Sequence, residues 1–190
     1  MPQVPMRRTE QSQDALARAL TAELAPLGAT STTGAMLLAL VNQETGNGHN
    51  LWNYNVGNIT TADQSLDYWM TEKGAAKGLR FRAYESFDDG VRDFIRFVHG
   101  RSKLWDSTTT GDVGQFTSAI RSSGYNPELD VVEATPKMAR LAKDALTRFS
   151  ALPSGRPLTV SAGSNSDSGW GSGLILLGLL WLFGRSKRNG

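Results

Sequence analysis

The sequence predicts a mainly α-helical body of the α+β class with a small β-lobe, followed by a flexible linker and a C-terminal transmembrane helix. Three observations carry this expectation. Apolar residues recur at three- and four-residue steps through most of residues 10–150, two short aromatic runs around Gly74 and Gly78 interrupt that period, and a Ser/Gly stretch leads into a late apolar run. The 190 residues, 39% hydrophobic and 20% charged, are enough for one core and an appendage. The expected division is a flexible N-terminus over 1–9, the folded body over 10–150, a linker over 151–169, an anchor over 170–184 and a basic tail over 185–190.

From Glu10 to Leu27 the positions Ala15, Leu16, Ala19, Leu20, Leu24 and Leu27 mark an amphipathic helix that stops near Gly28. A second helix is expected from Thr32 or Thr33 to Glu44. Its run Met36-Leu37-Leu38-Ala39-Leu40-Val41 is too apolar for a surface helix, so it belongs in the core. The next stretch holds four Asn between His49 and Ile59, which is a loop that ties itself together with side-chain hydrogen bonds. Tyr68-Trp69-Met70 and Leu79–Tyr84 read as short strands of a hairpin. Ser86 followed by Asp89 resembles a capping box opening a helix over 87–101. Further helices are expected at 112–123 and from Thr135-Pro136 to Phe149.

Residues 161–173 contain five Ser and four Gly, a composition that buries no core. Residues 171–184 are fourteen uncharged residues, reaching roughly 21 Å as a helix against a hydrocarbon core of about 30 Å. Trp170 and Arg185 at the ends can extend that span into the interfaces, so a short lipid-membrane anchor over 170–184 is expected, with a helix tucked against the body as the alternative. Arg185, Lys187 and Arg188 favour the cytoplasmic side and leave the body facing outward. The N-terminus carries an Arg pair without an apolar stretch of signal-peptide length.

The net charge of +2 resides in the tail: residues 1–168 hold 17 basic and 18 acidic side chains. A body so balanced lacks the footprint for nucleic acid. Cysteine is absent, which removes disulfides, thiol nucleophiles and Cys-ligated metals; His49 and His99 alone do not supply a zinc ligand set, so no metal is expected.

One carboxyl stands out. An apolar helix ending in Gln43-Glu44-Thr45-Gly46 puts Glu44 at the edge of the core, where burial without a cation raises a carboxyl pKa and equips it as a general acid. The competing reading is a carboxylate that hydrogen-bonds the Asn-rich loop.

The segment LLALVNQETGNGHNLWNYNVGNI resembles the catalytic segment of lysozyme-like peptidoglycan hydrolases of the glucosaminidase type, glycoside hydrolase family 73. Asn53-Tyr54-Asn55-Val56-Gly57-Asn58-Ile59 is similar to that family's Asn-rich turn. Phe81-Arg82-Ala83-Tyr84-Glu85-Ser86-Phe87 resembles its Phe-Arg-x-Tyr-x-Ser-Phe segment, and Ser123-Gly124-Tyr125-Asn126-Pro127 its late Gly-Tyr turn. Together the three motifs cover about residues 10–150. Two departures are Gly46-Asn47-Gly48, where an aromatic or Trp-Gly usually follows the Glu, and Leu129-Asp130 in place of Tyr-Ala.

The resemblance implies a lysozyme-like domain that cleaves β-1,4 bonds of peptidoglycan glycan strands, with Glu44 protonating the leaving oxygen. Glu72 is similar in position to the family's second carboxylate and would activate water; the alternative is an exposed charge beside Lys73 and Lys77. Asp63, Asp67 and Glu85 are weaker candidates for that role. Without a second carboxylate, the sugar's 2-acetamido group or the muramic 6-hydroxyl would act as nucleophile, the latter making a lytic transglycosylase. Tyr54 and Tyr125 are the expected substrate-binding rings. Asn55 and Asn58 stand in the same set, although tying the loop together is the better expectation for them than touching sugar; Trp52 and Trp69 are expected in the core, and no role attaches to His49 or His99. No cofactor is implied, since carboxyl proton transfer suffices. A tethered enzyme of this kind suits a virion breaching a bacterial wall, with other virion proteins as partners, or a bacterial inner-membrane enzyme that remodels the wall. A silent wall-binding or structural particle protein is the alternative from another class.

Overall fold

The computed structural model describes residues 3–61, 66–71, 75 and 78–161. Among them the chain is mainly helical with one two-stranded sheet. Helix α1 (Gln13–Leu24) starts where Ser12 accepts the Ala15 N–H and turns Leu16, Ala17, Leu20 and Leu24 inward. A 3₁₀ turn (Ala25–Leu27) ends it, and Gly28 reverses the chain at φ 67°. Helix α2 (Ser31–Thr45), capped by Thr30, is buried at every position except Ser31 and Gln43, as an all-round apolar helix must be. It runs through the middle of the core. Its broadest contact is with the last long helix, and the Phe149 ring lies so close over Gly34 that a Cβ there would stand 2.4 Å from it.

Around α2 are α3 (Phe87–His99), a short α4 (Ser102–Ser107) that the periodicity did not announce, α5 (Val113–Ser122) and α6 (Val131–Leu146). Helix α6 begins four residues before the expected Thr135-Pro136. The Asp130 carboxylate accepts the Val132 and Glu133 N–H groups and caps the helix there, which places Pro136 in the second turn, where its missing N–H releases only the carbonyl of the exposed Val132.

Strands β1 (Tyr68–Trp69) and β2 (Phe81–Arg82) pair antiparallel, Tyr68 opposite Arg82 and Trp69 opposite Phe81. The Trp69 and Phe81 rings stack at 4.7 Å, and with Leu79 and Trp52 they form a small second core, so both tryptophans serve packing.

Both ends of the body depart from expectation. Residues 3–9, expected to be flexible, lie as an extended strap: Val4 N–H donates to the Tyr68 carbonyl, Thr9 N–H to Leu51, and Asn53 N–H to Arg7. The polar composition concealed a backbone that finds its partners in the loop and at the sheet edge. Residues 151–161, expected as linker, are also part of the body. Leu152 is buried, Thr32 Oγ1 donates to the Arg156 carbonyl, and Thr159 exchanges backbone bonds with Gly111 and Val113. Gly111, Gly114 and Gly155 provide the room, because a Cβ on each would lie within 2.2–2.3 Å of this segment or its partner. Residues 162–190 lie outside the described residues, and so does the expected anchor at 170–184; among the described residues no helix is long and apolar enough to cross a membrane.

Asp112 fastens this last segment. Its Oδ1 caps α5 and also accepts the Ser161 N–H and hydroxyl. Burial alone would push the carboxyl up, but those donors from Ser161, Gln115 and Gly114 bring it below its ordinary value. The bonds therefore favour folding above the unfolded pKa and are lost as the pH falls through the lower folded one. Asp112→Ala is expected to cost about 1–2 kcal/mol and to expose residues 157–161 to limited proteolysis, read by mass spectrometry of early cleavage products.

Candidate active site

Glu44 stands in the last turn of α2, whose axis ends where Gly46 takes φ 57°. Thr45 locks that end: its hydroxyl donates to the Val41 carbonyl and accepts the Gly48 N–H. The Glu44 side chain is thus fixed at the core boundary with 6% exposure. Burial raises its pKa to about 7, opposed in part by the Asn58 amide and by Lys137 on α6. A carboxyl of this kind is protonated near neutral pH and able to give its proton away.

The loop after α2 holds Asn47, Asn53, Tyr54 and Asn58 at positive φ, a conformation that Asn tolerates better than most residues. Each Asn that matters to the site has a distinct task. Asn53 clamps the N-terminal strap, accepting the Arg7 N–H and donating to the Pro5 carbonyl. Asn58 Nδ2 donates to the Glu44 carbonyl at 2.8 Å. Asn55 has no exposed surface and spends its amide on the Ile59 N–H and on the Ile59 and Arg82 carbonyls. Asn55 therefore shapes the loop instead of touching a substrate, which corrects its place among the substrate-binding residues.

Tyr125 is brought to the Asn-rich loop, within reach of the Glu44 charge. Its hydroxyl donates to the Gly57 carbonyl at 2.7 Å, and burial followed by the Glu44 charge pushes its pKa well above the ordinary value. Gly57 permits the approach, since a Cβ there would lie 2.9 Å from that hydroxyl. Tyr54 is tied instead to the N-terminal strap: its N–H donates to Thr9 Oγ1, and the Arg7 guanidinium sits 5.0 Å over its ring.

Behind Tyr125 is a cluster that the residue-by-residue reading did not single out. The Phe97 ring meets Tyr125 edge-on at 5.8 Å and carries the Arg101 guanidinium at 3.5 Å. Asp93 Oδ2 accepts from Arg82 at 2.6 Å and from the Tyr84 hydroxyl at 2.5 Å. Burial and then Asp93 push the Tyr84 hydroxyl far up, so it stays a donor. The signal was present in Phe81-Arg82-Ala83-Tyr84, but nothing local to that motif shows that Asp93, on a helix, completes it.

Glu72 and Asp63 lie outside the described residues. Asp67 keeps one carboxylate oxygen buried without a hydrogen-bond partner among the described residues, while Glu85 is exposed. His49 approaches Glu10 at 3.5 Å on the surface, and His99 packs edge-on against Trp105. Among the described residues, no group of three or more His, Cys, Asp or Glu is placed to hold a metal ion.

No protein-family model matches this chain, and no curated protein sequence does. Among solved structures it is similar to the glycoside hydrolase domain from Salmonella typhimurium FlgJ, at 18% identity and a TM-score of 0.48, over 68% of this chain and 82% of that one.

Proposed function

We propose that the chain is a peptidoglycan glycosidase that cleaves β-1,4 bonds between GlcNAc and MurNAc, with Glu44 as general acid. The observation that carries this reading is the Glu44 carboxyl, buried at the end of α2 with its pKa raised to about 7. Such a group donates a proton to a departing glycosidic oxygen as positive charge develops on the sugar ring. The motif resemblance around Glu44, Arg82 and Tyr125 supplies the substrate class. Tyr125 and Tyr54 are the rings proposed to face the glycan, and Asn58 positions Glu44. Glu72 is proposed as the second carboxylate, activating water on the opposite face of the sugar. The segment 170–184 is proposed as a membrane anchor that holds the enzyme at a wall, in a virus particle or at a bacterial inner membrane.

The test is digestion of purified peptidoglycan by the full chain, wild type beside Glu44→Gln, with mass spectrometry of the released fragments. Release by the wild type that the variant abolishes is the expected result. Reducing GlcNAc or MurNAc ends would identify the hydrolysed bond, and anhydroMurNAc ends would replace hydrolysis with the transglycosylase reaction. Equal release from both proteins would overturn the role of Glu44.

A further inference from the structure

The cluster behind Tyr125 has a charge that its own members do not balance. Arg82 and Arg101 share the Phe97 ring, their guanidinium carbons 6.0 and 3.5 Å from its centroid. One carboxylate, Asp93, serves Arg82. Arg82 Nε is buried without a hydrogen-bond partner among the described residues. Arg101 makes one hydrogen bond, from its guanidinium to the Phe97 carbonyl, and no carboxylate pairs with it among the described residues. Below about pH 7, with Glu44 protonated, the two guanidiniums face the single Asp93 carboxylate and the group carries one uncompensated positive charge among the described residues. Burial lowers the Arg101 pKa, Tyr125 opposes that shift, and repulsion from Arg82 adds to it, so the second cation makes Arg101 harder to keep charged there.

A planar guanidinium stacked on an aromatic ring is held in place while its edge remains open to a planar oxyanion, a geometry suited to two parallel hydrogen bonds. Phe97 meets Tyr125 edge-on, and Tyr125 lies within reach of the Glu44 charge, so the Arg101 guanidinium shares the neighbourhood of the proposed proton donor. We propose that Arg101, supported by Arg82 on the Phe97 ring, forms an anion subsite that binds a carboxylate carried by the glycan substrate. This rests on the glycosidase reading above. Muramic acid offers that carboxylate from two sources, its own lactyl group when unsubstituted and the peptide stem when attached. Arg101 thereby becomes a specificity-determining residue, selecting strands with acidic substituents and setting their register against Glu44.

The test compares three substrates for the full chain: peptide-stripped strands with free lactyl carboxylates, the same strands methyl-esterified, and intact peptide-bearing strands. For the wild type, KM on a carboxylate-bearing substrate is expected to rise several-fold as salt is raised from about 50 to about 300 mM, while KM on the esterified strands stays flat. Arg101→Gln is expected to lower the charged-over-esterified selectivity in kcat/KM by about tenfold, the loss of one charge-assisted contact. Arg101→Lys, which keeps the charge but not the planar fork, should recover part of it. A selectivity loss seen with stripped strands alone assigns the lactyl group; a loss also seen with intact strands assigns the stem. Unchanged selectivity in the variant, or a KM equally salt-dependent on all substrates, overturns the subsite while leaving the glycosidase reading intact. No cleavage of any strand by the wild type overturns both.

Discussion

Glu44→Gln is expected to lower kcat on peptidoglycan by about 10²–10⁴-fold, the usual contribution of a positioned general acid, with little change in KM. The glutamine amide keeps the shape of the carboxyl and has no proton of comparable acidity to give. The wild-type rate should fall as the pH rises through about 7, where Glu44 loses its proton, and this limb should be absent from the residual activity of the variant. The same substitution should make the fold more stable in alkali. The folded pKa lies above the ordinary carboxyl value of 4.5, so the favourable protonated state is fully present below that value and lost as the pH rises through about 7. A shift of that size corresponds to a penalty on the order of 3 kcal/mol at pH 8. Urea denaturation should therefore find Glu44→Gln more stable than wild type at pH 8 and nearly equal to it at pH 4.5. An acid that weakens its own fold when ionised is the energetic mark of a carboxyl kept for chemistry rather than for packing.

Asn55→Ala should be the most damaging single change outside the core. The Asn55 side chain takes the Ile59 N–H at 2.8 Å and gives hydrogen bonds to the Ile59 and Arg82 carbonyls at 2.9 and 3.0 Å, all without exposure to water. Alanine leaves the buried Ile59 N–H without a partner, at about 1–3 kcal/mol, and takes one donor each from the Ile59 and Arg82 carbonyls, which keep the Arg82 N–H and the Trp69 indole. The expected loss is about 3 kcal/mol or more, a large share of the ~5–15 kcal/mol that stabilises a typical domain. The damage should also reach the candidate site. Arg82 sits in β2, and its carbonyl also accepts from the Trp69 indole, so Asn55 is the clasp between the loop after Glu44 and the small sheet. Asn55→Asp should not rescue it, because a carboxylate accepts the Ile59 N–H but gives neither carbonyl a donor and adds a buried charge. Urea midpoints and amide hydrogen exchange at Ile59 and Arg82 would read the effect directly, and a fully stable Asn55→Ala protein would contradict this assignment.

Much of the helical framework is legible without coordinates because its causes are local. The period of Leu16, Leu20 and Leu24 makes α1 one-sided, the unbroken run from Ala35 to Val41 makes α2 central, and Ser86 caps α3. The same locality explains the misreadings. Thr135-Pro136 carries the usual signature of a helix start, yet Asp130, five residues earlier, accepts the first N–H groups. Polar composition made residues 3–9 and 151–161 look unattached, although their partners lie on the Asn-rich loop and at the ends of α2 and α5.

For the candidate site, sequence alone determined that Glu44 terminates a buried helix ahead of an Asn-rich turn, since the hydrophobic run and Gly46 dictate both. Only the tertiary structure decided that Asn58 donates to the Glu44 carbonyl and Tyr125 to the Gly57 carbonyl beside it, that Asn55 turns inward, and that Arg82, Asp93, Phe97 and Arg101 assemble behind Tyr125. The physical reason is range. Helix formation and burial follow from neighbours within a few turns of chain, whereas a raised pKa and an unbalanced charge depend on which distant side chains packing brings within a few ångströms.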